Sequence, residues 1–529
     1  MIHLLLLASV FAWEEKVNSG SMNGYFTIDE LRTLLQEVSA NFTIVTNGQI
    51  DGRDVYYSKI SMSSSTQKEK LLILAGVYGG YPLGTSMAVY SLLKLANESQ
   101  TYQEIVMMND VYVIPLLNSY AYTESYTNWT SSKTIYPYYL NSDCQSDSGV
   151  NLNRNWNFEW NLTQPEKCGD YYPGSSANSE SLTKWLDEFM KNEGITHLIH
   201  YERNGNKYLK PYSSNSNSIN DSVSTEFYEK ISSELSSSWK FGTAKELHGE
   251  FEHGTLLDYA FSKGTKSLEA GIGPEGTASE SEIPGIVSAH FAIVESVMQK
   301  SNFYLELAEK EKGESVCSSC QTENAYSVLS LTFELENKGS KDKLSTFQFS
   351  FEHPANSSYS FELPKAVLSY NSSEQTINST KSDTSISLST DVNLTGFSKA
   401  TVTLKIERVN PGEPLESIDV SYSSSLFPKD LSSEAVFKKS KEGTFKVSPS
   451  VATEDTTDTG DQETTQETEE TEEHSLNSEV TVGIIVGTIL LVLGIVALVV
   501  YIFIVKRKKN QGSAKKSDLP AENKASQRV

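Results

Sequence analysis

The sequence predicts an α/β domain followed by a smaller all-β domain, and three observations carry that reading. From about residue 24 to 305, apolar strand-like runs alternate with amphipathic stretches, the pattern of helices covering a largely buried sheet. After Cys320 the texture changes to short β-prone runs separated by Asn, Ser and Gly. Only 4 cysteines occur in 529 residues, so a large hydrophobic core rather than a disulfide framework must hold the fold.

In the first domain, Leu71–Gly76, Val111–Pro115 and His197–His200 are compact runs suited to buried strands, and Ser86–Leu95 and Ser179–Met190 have helical patterning. In the second, Tyr326–Glu336, Leu344–Glu352, Thr384–Leu388 and Thr401–Ile406 read as strands of a small β-sandwich over residues 321–430. No fixed-period repeat stands out. Residues 431–479 read as an acidic stalk: Thr453–Glu473 is Thr, Glu, Asp and Gln with hardly an apolar side chain, and cannot bury enough surface to offset chain entropy.

Residues 480–505 contain no charge, and at about 1.5 Å per residue they are long enough to cross a hydrocarbon core of about 30 Å as a tilted helix. Lys506–Lys509 follow at once, so the positive-inside rule puts residues 506–529 in the cytoplasm and the rest outside, a single-pass type I arrangement at the plasma membrane. Residues 1–12 suit a secretory signal with a cut after Ala12; the alternative is a buried strand or a wrong start site. Glycosylation triplets begin at Asn41, Asn97, Asn128, Asn161, Asn220, Asn356, Asn371, Asn378 and Asn393, all before the membrane run. Cys144 and Cys168 bracket one loop and are placed to staple it. Cys317 and Cys320 are compatible with a local disulfide, half a metal site or two unrelated thiols. The net charge of −24 argues against a nucleic-acid partner.

Several segments, in register, resemble the zinc carboxypeptidases. Gly52–Val55 with the strand ending Ala75–Val77 is similar to that family's opening. Val111–Asn118 is similar to the strand before its Asn-Pro-Asp-Gly turn. Gly149-Val-Asn-Leu-Asn-Arg-Asn-Trp156 is the nearest match, and Tyr172–Glu180 and Lys210–Tyr212 follow in order. The resemblance implies a mixed sheet flanked by helices, with a site at the strand ends that grips a peptide C-terminus. It also implies a zinc held by a His-x-x-Glu pair and a later His, and a Glu acting as general base. By the same resemblance Asn153 and Arg154 match the pair that binds the substrate's terminal carboxylate, a task suited to a guanidinium fork. The alternative for Arg154 is pairing with a local Asp or Glu. Glu269 matches the general base.

The metal positions depart from the pattern. The His-x-x-Glu pair aligns with Tyr78 and Tyr81, and the Arg between them with Gly80. A phenol is a poor zinc ligand, because it loses its proton only near pH 10. Counting back from Pro211 places Glu202 at the third ligand, with His200 two residues earlier on the same strand face, either a polar pair at a strand end or a substitute metal ligand. Lys133 is the only basic residue from Tyr120 to Asn153 to stand in for the oxyanion Arg, and no Tyr lies between Phe241 and Tyr259 to supply the family's mobile tyrosine. His248 and His253 are further candidates to join His200.

The expectation is therefore a metal-deficient, surface-anchored carboxypeptidase homologue with no cofactor. It binds peptide or protein C-termini or serves as an interaction module. The alternative is an active zinc exopeptidase with replacement ligands, and a third reading has Tyr78 and Tyr81 filling the old pocket of a purely structural protein.

Overall fold

The computed structural model describes most of residues 13–447; residues 1–12 and 448–529 lie outside the described residues, as do 126–137, 141–148 and several shorter internal segments. The signal segment, the acidic tract of the stalk, the 480–505 run and the tail all fall there, as do Lys133, Cys144, Cys317 and Cys320. Among the described residues no helix is long and apolar enough to cross a membrane. Cys168 is disulfide-bonded, and the other three cysteines lie outside the described residues.

Among the described residues ten strands precede residue 305: β1 Thr43–Ile50, β2 Arg53–Ile60, β3 Glu69–Ala75, β4 Asn109–Ile114, β5 Tyr138–Leu140, β6 Gly149–Asn151, β7 His197–Arg203, β8 Lys207–Leu209, β9 Lys240–Gly242 and β10 Lys266–Gly271. Eight of them form one sheet in the order β1-β2-β4-β3-β7-β10-β8-β9, while β5 and β6 pair separately. β3 runs parallel to β4 and β7, and β7 parallel to β10, whereas β2 pairs antiparallel with β1 and β4. This is the mixed sheet that the resemblance implies. The central strands β3 and β4 are apolar without alternation because both faces are covered. Leu71, Ile73 and Ala75 enter one core, and Leu72 and Leu74 enter a second core with Tyr112, Leu186 and Phe189.

The helices explain the two cores. α1 (Ile28–Val38) buries only Leu31, Leu34 and Leu35, one stripe at helical spacing. α2 (Pro82–Asn97) is buried on nearly all sides and starts on a proline, whose missing N–H costs nothing at a helix N-terminus. Further along come α3 (Gln103–Met108), α4 (Ser119–Ser125), α5 (Ser181–Glu193), α6 (Ser222–Ser233), α7 (Ala244–His248), α8 (Leu256–Ser262) and α9 (Ile283–Ser301). α5 lies on the second core and ends on Gly194 at φ +67°, the left-handed cap that glycine adopts without strain. α9 packs on α2 over the first core.

Residues 305–447 form a sandwich of two five-stranded sheets, β11-β12-β18-β14-β15 and β16-β17-β13-β19-β20, where β11 is Leu305–Val316, β12 Ala325–Asn337, β13 Lys343–Glu352, β14 Ser360–Tyr370, β15 Ser373–Thr376, β16 Ser379–Lys381, β17 Ser385–Leu394, β18 Lys399–Val409, β19 Ile418–Pro428 and β20 Lys439–Val447. Leu329, Leu331, Phe333 and Leu335 of β12 face Phe347, Phe349 and Phe351 of β13 in the core. The sandwich is wider than the 321–430 expected from sequence, and 431–447 belongs to it rather than to the stalk. β11 (Leu-Glu-Leu-Ala-Glu-Lys-Glu-Lys) and β20 (Lys-Ser-Lys-Glu-Gly) are edge strands whose charges mask their strand character.

The joint between the two parts is polar and fully engaged. Asn337 is buried; its amide nitrogen donates to the carbonyls of Lys341 (2.8 Å), Leu394 and Thr395 (both 3.2 Å), and its oxygen accepts from the backbone of Tyr304 and Gly339 (both 3.1 Å). Asn302 donates to the carbonyls of Gln67 and Met108, both 3.2 Å, tying the start of the sandwich to the sheet. Asn337→Ala removes these bonds from buried groups. At about 1–3 kcal/mol for each group left unsatisfied, the loss expected in urea unfolding of the purified protein is at least about 2 kcal/mol; a loss below about 0.5 kcal/mol contradicts this account of the joint.

Two buried histidines contribute to the acid response. His290 is stacked on Trp239 at 4.2 Å and bonded to Tyr208 and Asn206, and burial pulls its pKa down to about 4. Burial, followed by Lys266 and Lys341, holds His197 well below its usual range. Between pH 6.5 and about 4 the unfolded chain takes protons at these sites that the folded chain does not, so stability is present above pH 6.5 and falls as acid is added. At about 1.4 kcal/mol per pH unit, His290 alone accounts for about 3 kcal/mol. Unfolding free energy measured from pH 7 to 4 should show this slope, and His290→Gln should flatten it; an unchanged slope contradicts the assignment.

Candidate functional site

The candidate site lies at the carboxyl ends of β3, β7 and β10, where open α/β sheets place their ligand crevices. His200 stands in β7 opposite Leu74 of β3 on one side and Glu269 of β10 on the other. Glu202 follows two residues later, and its carboxylate lies 3.2 Å from His200 Nδ1. One ligand atom from each of His200, Glu202 and Glu269 lies within 4.8 Å of the others, and all three side chains are buried. The alternation of a strand thus produces the shared face, and the parallel register with β10 adds the third group.

Asn153 closes this cluster. Its amide nitrogen donates to Glu202 and, at 3.2 Å, to Glu269 Oε2, while its oxygen accepts the Leu256 backbone N–H at 2.9 Å, at the start of α8. The geometry comes from local sequence. After β6, Asn151 accepts the Asn153 N–H through its side chain at 3.0 Å and starts a single 3-10 turn over Leu152–Arg154. Asn155 then binds the Tyr172–Glu180 segment: its amide donates to Pro173 O (2.7 Å), Ser176 O (3.1 Å) and Ser179 Oγ (2.9 Å), and its oxygen accepts from Glu180 N at 3.2 Å. The two matched motifs touch, which explains why they occur together.

Arg154 turns the other way. Its guanidinium pairs with Glu252 at 3.0 Å, donates to the Asn153 carbonyl at 3.0 Å, and lies 5.7 Å from the ring centre of the exposed Tyr171. Glu252 also lies 3.0 Å from His248 Nδ1. The residues around Glu252 are held against 154–158 by two backbone bonds, Trp156 N to Gly254 O and Gly254 N to Phe158 O, each 3.1 Å. Gly254 has φ +66°, and a Cβ there would meet the Arg154 carbonyl at 2.4 Å, so this approach requires glycine.

Tyr78 and Tyr81 lie in the loop after β3. Tyr78 is buried, and the two rings meet edge to face with centres 6.1 Å apart. Gly79 allows the loop its path, because a Cβ there would lie 2.2 Å from the Tyr122 nitrogen. His248 and His253 do not join His200: His248 meets Glu252, and His253 lies 3.2 Å from Glu159. Sequence reasoning missed Glu252 and Asn155. The available signals were an acid four residues after His248 for the first, and the coincidence of two separated matches for the second; neither is specific without the fold.

Comparison with known proteins follows the same lines. The family model described as zinc carboxypeptidase matches residues 27–291, half of the chain. Zinc carboxypeptidase A 1 of Drosophila melanogaster is 29% identical over 181 residues, 32% of this chain and 40% of that protein. Carboxypeptidase B of Helicoverpa zea is 27% identical over 172 residues, 31% of this chain and 39% of that protein. The chain therefore spans about two fifths of the length of these relatives. The crystal structure of carboxypeptidase A from Helicoverpa armigera superposes at a TM-score of 0.44 with 18% identity, covering 52% of this chain and 73% of that one.

The family's metal can be tested against the donors present. His200, Glu202 and Glu269 offer one imidazole nitrogen and two buried carboxyl groups, a set of donor types that fits a divalent cation. The phenols of Tyr78 and Tyr81 do not fit one unless ionised. On the match of the family model over residues 27–291, this chain belongs to the zinc carboxypeptidase family.

Proposed function

We propose that this chain is a carboxypeptidase-fold surface protein that recognises peptide or protein C-termini without hydrolysing them. The observation that carries this reading is the Tyr78–Tyr81 ring pair, 6.1 Å between centres, at the loop that by family resemblance supplies the His-x-x-Glu ligands. Two neutral phenols there leave no pair of ligands for zinc, and without a metal neither a carboxylate nor a guanidinium polarises an amide enough for hydrolysis. The binding residues of the family pattern, Asn153 and Arg154, are kept and built into the 3-10 turn. The uncharged run 480–505 with its basic flank supports a single membrane anchor and an extracellular orientation, and the acidic net charge disfavours nucleic acid.

A second reading rests on the His200, Glu202 and Glu269 donors, which lie within 4.8 Å of one another. These residues would hold zinc, which when bound supplies carbonyl polarisation and an activated water. In that case the chain is a membrane-anchored metallocarboxypeptidase with Glu269 spent as a ligand rather than as general base, while Asn153 orients Glu269 and Glu202 and Arg154 binds the terminal carboxylate.

The purified protein, assayed for release of C-terminal residues with and without added zinc and for metal content, separates the two. The expected result is no release above background and no stoichiometric zinc, since Tyr78 and Tyr81 stand where the family resemblance places two of the three ligands. Stoichiometric zinc with chelator-sensitive release contradicts the proposal and supports the second reading.

A further inference from the structure

The Arg154 guanidinium, matched to the residue that takes a peptide's terminal carboxylate, already carries a carboxylate from its own chain. We infer that Glu252 is a built-in occupant of the carboxylate-binding position, so that the resting site is self-liganded and accepts an external C-terminus only when Glu252 withdraws. This rests on the proposed recognition of C-termini and adds its regulation.

Four features make the occupancy a constructed one. Glu252 and Arg154 are both buried, 4% and 5% exposed, so the pair at 3.0 Å is not one of the solvated surface contacts that form and break freely. The second carboxylate oxygen lies 3.0 Å from His248 Nδ1, so both oxygens of Glu252 are engaged by basic side chains, as both oxygens of a chain terminus would be. The supporting backbone is fixed: residues 252–256 are joined to 153–158 by the paired Trp156–Gly254 and Gly254–Phe158 bonds and by Leu256 N to Asn153 Oδ1. Gly254, at φ +66°, permits a closeness to the Arg154 carbonyl that any Cβ would block.

The surroundings also provide a way out. Glu252 lies in the link between α7 and α8, residues 249–255, outside both elements. His248 keeps a partly exposed side chain, Phe251 is exposed, and the exposed Tyr171 lies beside the guanidinium. An incoming peptide meets Tyr171 and Phe251 first and then competes for Arg154. The competition is of one carboxylate for another. A peptide whose C-terminus is amidated has nothing to exchange.

The test uses the full-length protein in detergent micelles and fluorescein-labelled hexapeptide pools with mixed C-terminal residues, one pool as free acids and one as amides. Wild type should bind the acid pool weakly. Glu252→Gln should raise affinity for the acid pool by about tenfold or more and leave the amide pool unchanged, and adding Arg154→Gln should abolish the gain. Glu252→Asp, which keeps the charge but shortens its reach, should give an intermediate gain and reports on the same point should the Gln variant fold poorly. In thermal unfolding, the acid pool should raise the midpoint of the Glu252→Gln protein and not that of the double variant. No gain with either variant, or an equal gain for amides, overturns the inference. Zinc content and C-terminal release are separate readouts: a zinc-free, inactive chain with no gain on Glu252→Gln loses the self-occupancy alone, whereas zinc-dependent release contradicts the non-hydrolytic function itself.

Discussion

The side chain of Asn153 is the constraint on which the site depends. One amide joins three separate parts of the fold: it binds the carboxylates on β7 and β10 with its nitrogen and the first N–H of α8 with its oxygen. Those carboxylates are out of water, where an ionised group without compensating hydrogen bonds is strongly disfavoured. The amide therefore organises both the strand ends and the 3-10 turn, and the turn in turn directs Arg154 away from the cluster and toward Glu252. A carboxypeptidase framework and a carboxylate-holding turn can persist in this way whether or not a metal binds.

Electrostatics divides the site into two halves. The inner half, His200 with Glu202 and Glu269, gathers two carboxyl groups and an imidazole out of water and has the donor types of a cation site. The outer half pairs Arg154 and His248 with a single Glu252 and resembles a bound terminal carboxylate in its chemistry. The two halves meet at Asn153, whose carbonyl accepts from Arg154 and whose amide nitrogen donates to Glu202 and Glu269. The function proposed for this chain uses the outer half, and the competing metallopeptidase reading uses the inner one.

Much of the frame was legible in the sequence because it depends on local patterns. The continuous apolar run of β3 and the strands of the sandwich core lie where sequence places them; the 3-10 turn at Asn153 and Arg154 does not follow from the motif match. The edge strands β11 and β20 were not, since their charges suppress the apolar alternation that reveals a strand. The shared face of His200 and Glu202 follows from strand geometry. The approach of Glu269 depends on β10 lying parallel beside β7, which periodicity alone does not specify. The sequence left Arg154 with two choices, an incoming carboxylate or a local acid. The local acid, Glu252, lies 98 positions along the chain, and only the backbone pairing around Gly254 brings it there.

The central claim, that the family's zinc position is no longer a zinc position, is tested most directly by anomalous diffraction at the zinc edge from crystals soaked in zinc. The account predicts no anomalous peak within bonding distance, about 2.0–2.2 Å, of His200, Glu202, Glu269 or either phenol of Tyr78 and Tyr81. A fully occupied peak there, held by His200 with Glu202 and Glu269 or by a phenolate of Tyr78 or Tyr81, would contradict it.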